Sequence, residues 1–165
     1  MTNIIWKKPS ECSESELEVL EALVKKGGEV DMDRLHDRIM RAEWLIFLFE
    51  IDKTLAGVAA LKNPNVNYKR DIFRKADSTE DPDEFIFEAG WIFVEPQFRR
   101  RKHSRALLQT VLKLADKKYV YATTKENNEA MRRTNLYCGL EQSGHPYTSE
   151  EGDYKLVLYT KHSPQ

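Results

Sequence analysis

The sequence predicts a mixed α/β fold, one domain over residues 1–165 with a mixed central sheet flanked by helices. Three observations carry that reading. Two stretches near the start repeat apolar residues at helical spacing, a pair of bulky strand-like runs follows, and strand-like and helix-like segments alternate through the second half. At 165 residues the chain is long enough for one core that buries roughly two-thirds of the unfolded surface.

The first helix is expected in SESELEVLEALVKKGG, where Leu17, Leu20 and Val24 share a face. Ser13 three residues before Glu16 reads as a capping box, and Gly27 and Gly28 read as a stop. A second, shorter helix spans Asp31 to Ala42, with Leu35, Ile39 and Met40 on one side. EWLIFLFEI and TLAGVAALK then read as a hairpin over residues 44–61, joined by a two-residue connection at Asp52 and Lys53.

Residues 62–84 are polar and broken by Asn63-Pro64 and Asp81-Pro82, which predicts a mobile insert with a short helix in YKRDIFRKA. EFIFEAGWIFVEP is a long apolar strand stopped by Pro96. Ala106, Leu107, Leu108, Val111, Leu112 and Ala115 then predict a helix from about Lys102 to Lys117. YVYATT is a strand, NNEAMRRTNLY a helix capped by Asn127 and stopped by Gly139, and DYKLVLYTK a closing strand.

Hydrophobic residues make up 41% of the chain and charged ones 32%, with a net charge of -1, so a global field for polyanions is excluded and any such site is local. The N-terminus carries no apolar leader and no stretch approaches the roughly 18 apolar residues of a membrane span. A cytoplasmic protein with no membrane contact is expected. Cys12 and Cys138 lack ligand spacing and read as reduced thiols, and no metal is expected.

The stretch from Arg99 to Arg105 places five basic side chains and a histidine in seven residues at the start of a helix. A helix N-terminus offers backbone N–H groups and a positive dipole end, which suits a phosphate. The same run also reads as a solvated basic face.

From Phe85 to Leu158 the chain resembles the core of the GNAT superfamily of N-acetyltransferases. EAGWIFVEP resembles its strand before an RxxGxG/A loop, RALLQTVLKLA its following helix, and NNEAMRRTNLYCGL its NxxA helix. The opening helices and hairpin extend the resemblance from near residue 3 to residue 161. It implies acetyl-CoA (coenzyme A) as cofactor, with the pantetheine arm on Phe93 and Val94. The pyrophosphate would lie on Arg99, Arg100, Arg101, Lys102, His103, Ser104 and Arg105, with Asn127 as a further contact. Lys102 and Ser104 stand where that loop has small residues, and a lysine at the first of these positions either obstructs the cradle or adds attraction to it.

The resemblance also implies acetyl transfer to a primary amine of a small molecule or peptide by direct attack in a ternary complex. Glu88 stands where the family supplies its base. It lies six residues before Val94, which on a regular strand puts both on one face, and an apolar setting would raise its pKa toward neutrality. Tyr137, two helical turns after Ala130, is the candidate proton donor to the leaving thiolate, with Thr134 as the other. His103 reads as a surface loop histidine without an acid partner. Tyr147 and Tyr154, around the loop Gly144 to Asp153, are candidates for lining the acceptor pocket.

Between Asp77 and Glu95 every charged residue is acidic, which reads either as a field that favours a cationic amine or as a solvated loop. A competing expectation is an inactive module of the same fold that binds nucleic acid or another polyanion through Arg99–Arg105. The net charge and the lack of a second basic stretch count against nucleic acid. An exposed strand leaves room for a homodimer.

Overall fold

A computed structural model describes residues 2–28 and 32–162. In chain order it contains β1 (Asn3–Lys7), α1 (Glu14–Gly27), α2 (Leu35–Met40), β2 (Trp44–Phe49), β3 (Leu55–Lys62), α3 (Val66–Lys75), β4 (Phe85–Val94), α4 (His103–Leu114), β5 (Tyr119–Lys125), α5 (Glu129–Tyr137), β6 (Glu141–Gln142), β7 (Tyr147–Thr148) and β8 (Lys155–Lys161). The fold is mixed α/β, and its strands pair both parallel and antiparallel. Among the described residues no helix is long and apolar enough to cross a membrane.

The chain forms two compact units, Met1–Lys62 with Ala89–Leu114, and Asn63–Glu88 with Ala115–Gln165. In the first, the strand order is β1-β2-β3-β4, with β1 and β3 both antiparallel to β2. β2 is buried on both faces, which explains its unbroken apolar run. Leu45 and Phe47 pack with Leu20, Val24, Leu35, Ile39 and Trp91. The predicted capping box starts α1: Ser13 Oγ accepts from the Glu16 N–H at 3.1 Å, and Glu16 Oε1 accepts from the Ser13 N–H at 2.8 Å.

β1 is a strand that the polar-flanked IIW hid from sequence reasoning. The β2–β3 connection is longer than expected and covers Glu50 to Thr54. It turns through a Lys53 N–H to Glu50 carbonyl bond of 2.9 Å, with Lys53 left-handed at φ 70. The start predicted for the second helix, Asp31, lies outside the described residues.

In the second unit β4 runs parallel to β5, β5 is antiparallel to β8, and β6 and β7 both pair antiparallel with β8. The expected mobile insert is instead part of this unit's core. Ile72, Phe73 and Ala76 of α3 and its end pack with Phe85, Tyr121, Tyr147 and Leu158, because the polar spacing of YKRDIFRKA still leaves one apolar stripe. Gly144 seals this end of α3: a Cβ there would lie 2.0 Å from the Ala76 carbonyl oxygen.

Candidate functional site

The basic loop belongs to the first unit. β4 ends at Val94, Pro96–Phe98 makes a single 3-10 turn, and α4 begins at His103. Arg100 and Lys102 both sit in the left-handed region, at φ 65 and 64. For residues with a side chain this conformation costs roughly 1–2 kcal/mol each. Arg99 before them is extended, and the turn that follows directs N–H groups to one side as an anion nest, with the helix dipole adding to it.

The cations around the loop differ in freedom. The Arg99 Nε–H donates to the Val94 carbonyl at 2.9 Å, and its guanidinium lies 5.5 Å from the Phe93 ring centre. Arg101 lies over Phe98 and donates to Glu50 Oε1 at 3.2 Å. Arg100 and Lys102 are exposed, while Ser104 and Arg105 are half-buried in the first turn of α4. Phe93 packs toward Gly27, and Val94 toward Leu107 and Gly57; a Cβ on Gly57 would meet the Phe93 carbonyl at 2.8 Å.

His103 corrects the expectation of a surface loop residue. It is buried, and its Nε2 lies 2.7 Å from Glu50 Oε1. Glu50 follows β2, far from His103 in sequence, so spacing alone gave no sign of the pair. The bond from His103, reinforced by Arg101, holds the Glu50 carboxyl below its ordinary value.

Glu88 belongs to the second unit, 3% exposed. Phe85 aligns with Tyr119 on β5, but Phe87 aligns with Val120 and Glu88 with Tyr121. Three steps on β4 therefore match two on β5, so this bulge carries Glu88 onto the face of Phe85 and Tyr121. Burial, and next the Glu88 carboxylate, push the phenols of Tyr121 and Tyr147 well above the ordinary tyrosine value. The even count from Glu88 to Val94 does not fix a shared face, because Trp91 between them is left-handed at φ 52 and interrupts the pleat.

The remaining candidates lie in the second unit, on or beside α5 and around β7 and β8. Asn127 is exposed and does not cap the helix; Asn128 does, accepting from the Met131 N–H at 3.1 Å. Thr134 is buried and donates to the Ala130 carbonyl at 3.0 Å, whereas Tyr137 is 61% exposed. Tyr147 is buried with the Glu88 cluster, while Tyr154 has the Lys125 ammonium 4.4 Å from its ring centre.

The acidic run between Asp77 and Glu95 is partnered at several points. Glu95 pairs with Lys26 at 2.7 Å and Asp83 with Arg70 at 2.8 Å. Glu80 accepts from Ser143 at 2.5 Å, Thr160 at 2.9 Å and His162. Glu80 and Glu95 are half-buried and held by these partners, while Asp83 is paired at the surface; sequence reasoning missed Glu50, Tyr121 and the donors to Glu80 because each partner is distant in the chain.

Residues 12–139 match the acetyltransferase (GNAT) family. No curated protein matches the chain. Among solved structures, a GNAT acetyltransferase from Bacillus cereus ATCC 10987 is 15% identical, with a TM-score of 0.67 over 100% of this chain and 99% of that one. An acyl-CoA N-acyltransferase from Pseudomonas aeruginosa is 11% identical, with a TM-score of 0.71 over 98% and 99%. The Salmonella typhimurium protein yncA, solved with its cofactor acetyl-CoA, is 14% identical, with a TM-score of 0.65 over 100% and 95%. At these identities the structures show the fold, and the family match covers most of the sequence: the chain belongs to the acetyltransferase (GNAT) family.

Proposed function

We propose that this protein is a cytoplasmic N-acetyltransferase that acetylates a primary amine of a small molecule or peptide from acetyl-CoA, by direct attack in a ternary complex with Glu88 as base. The observation that carries the reading is the loop backbone. Arg100 and Lys102 both hold left-handed dihedrals immediately before α4, so Lys102 already has the conformation that favours glycine. Its side chain is exposed and adds charge.

These residues fit acetyl-CoA. The loop from Arg99 to Arg105 would hold the pyrophosphate on its N–H groups and cations, and Asn127 would add a contact. Phe93 and Val94 would pair with the pantetheine arm; the Val94 carbonyl keeps a second lone pair beside its bond from Arg99. When bound, acetyl-CoA supplies the thioester carbonyl carbon that an amine attacks. Glu88 takes the proton that the amine gives up, directly or through one water, onto a carboxylate oxygen. Tyr137 holds the proton for the leaving sulfur; Thr134, whose hydroxyl already donates to Ala130, is the alternative.

Calorimetry with acetyl-CoA tests the first half of the reading. One-to-one binding that persists at moderate salt is expected, and no heat together with no thermal shift would overturn it. The Glu88→Gln variant tests the second half: binding within about twofold of the wild type and turnover lower by about 100-fold or more are expected. Turnover at the wild-type rate would remove Glu88 as the base.

A further inference from the structure

Three polar side chains are buried together in the second unit: Tyr121 at 0% exposure, Tyr147 at 8% and Glu88 at 3%. The Tyr147 phenol oxygen has no hydrogen-bond partner, while the Tyr121 phenol interacts with the Glu88 carboxylate, whose charge also acts on Tyr147. A buried hydroxyl left in this way costs about 1–3 kcal/mol. Packing does not require it, since the adjacent core positions are filled by Phe73 and Phe85, whose rings lie 5.2 Å apart, with Phe73 5.5 Å from Tyr121.

We propose that Tyr121, Tyr147 and Glu88 form the acceptor subsite, which selects a primary amine carrying an oxygen acceptor, a hydroxyl or carbonyl, a few bonds from its nitrogen. The proposal rests on Glu88 being the base of the transfer described above. The amine arrives as an ammonium attracted to the carboxylate and gives one proton to Glu88 before it attacks; the second proton that its nitrogen sheds as the C–S bond breaks ends on the leaving sulfur. Tyr121, aligned with Glu88 across the parallel ladder, donates to that carboxylate. Tyr147 then donates to the oxygen of the substrate. Both phenols stay protonated through the neutral range, so they remain donors. An acceptor with its own carboxylate is disfavoured by Glu88. Lys69, the nearby cation on α3, is committed to the Phe85 carbonyl at 2.7 Å.

The test compares kcat/KM for ethanolamine against propylamine, and for glycinamide against glycine, with the full chain and acetyl-CoA. The oxygen-bearing amine of the first pair and the amide of the second are each expected to be preferred about tenfold. Tyr147→Phe should bring the ethanolamine to propylamine ratio close to one, by an about tenfold loss of the preference for ethanolamine. Equal use of ethanolamine and propylamine by the wild type overturns the subsite without any variant, so the proposal stays falsifiable even if a substitution unfolds the core. An unchanged ratio in an active Tyr147→Phe enzyme also overturns it and leaves the transferase reading intact. Wild-type turnover by Glu88→Gln overturns the base and the subsite together.

Discussion

The basic loop before α4 and the tyrosine–carboxylate cluster around Glu88 handle charge in opposite ways. The loop keeps Arg100 and Lys102 exposed and shapes its backbone through two left-handed residues. The cluster buries a single carboxylate between phenols and depends on a strand bulge to bring it there. The difference teaches where each is vulnerable. A surface loop tolerates loss of a side chain in stability and pays in ligand affinity, whereas a buried cluster fails first in folding.

The largest effect is expected from Phe85→Ala. Phe85 is fully buried and packs against Phe73 and Tyr119, with ring centres 5.2 and 5.5 Å away. Urea unfolding should show a loss of about 3–5 kcal/mol. A loss below about 1 kcal/mol would mean that this face of β4 is not the core that orders Glu88.

Acid titration sharpens the contrast within the second unit. Burial pushes the Glu80 carboxyl up, but hydrogen bonds from Ser143, Thr160 and His162 outweigh it, so Glu80 titrates below its ordinary value of 4.5. A carboxylate depressed on folding contributes stability above its unfolded pKa, and that contribution is lost as pH falls through the folded one. Thermal melting from pH 7 to pH 3 should therefore drop more steeply for the wild type than for Glu80→Gln. Parallel curves would show that the three donors contribute nothing to folding.

The two regions also differed in how far they could be read from sequence. The loop is contiguous, so its cations, its position after β4 and its helix were all legible. Its partner Glu50 was not, because the His103 contact joins residues 53 apart. Around Glu88 the carboxylate was legible and its surroundings were not. Period-two counting assumes an even pleat, and both the slip between Phe85 and Phe87 and the left-handed Trp91 violate it. The polar 62–84 segment misled for a related reason: a helix needs only Ile72 and Phe73 inward to join a core, however polar its other faces are.

Next in size is the affinity of the loop. Arg100→Ala should weaken acetyl-CoA binding by about threefold to tenfold, as expected for one partly screened charge contact, while melting stays within about 1 °C. The loss should shrink as salt rises, since the lost term is Coulombic. A loss that is independent of salt would assign Arg100 a role in loop shape instead of charge.

The smallest effect separates shape from charge at Lys102. Its φ of 64 is strained for lysine and unstrained for glycine, so Lys102→Gly gains roughly 1 kcal/mol in the folded state. Glycine also gives the unfolded chain more freedom, which opposes that gain by a similar amount. Net stability should therefore change by less than about 1 kcal/mol, and the variant reports on binding almost alone. If the lysine charge helps, affinity for acetyl-CoA falls at low salt and recovers toward the wild type as salt rises. If the side chain obstructs the nest, glycine tightens binding at every salt concentration. The backbone already adopts the left-handed conformation with lysine in place, so the first outcome is the expected one.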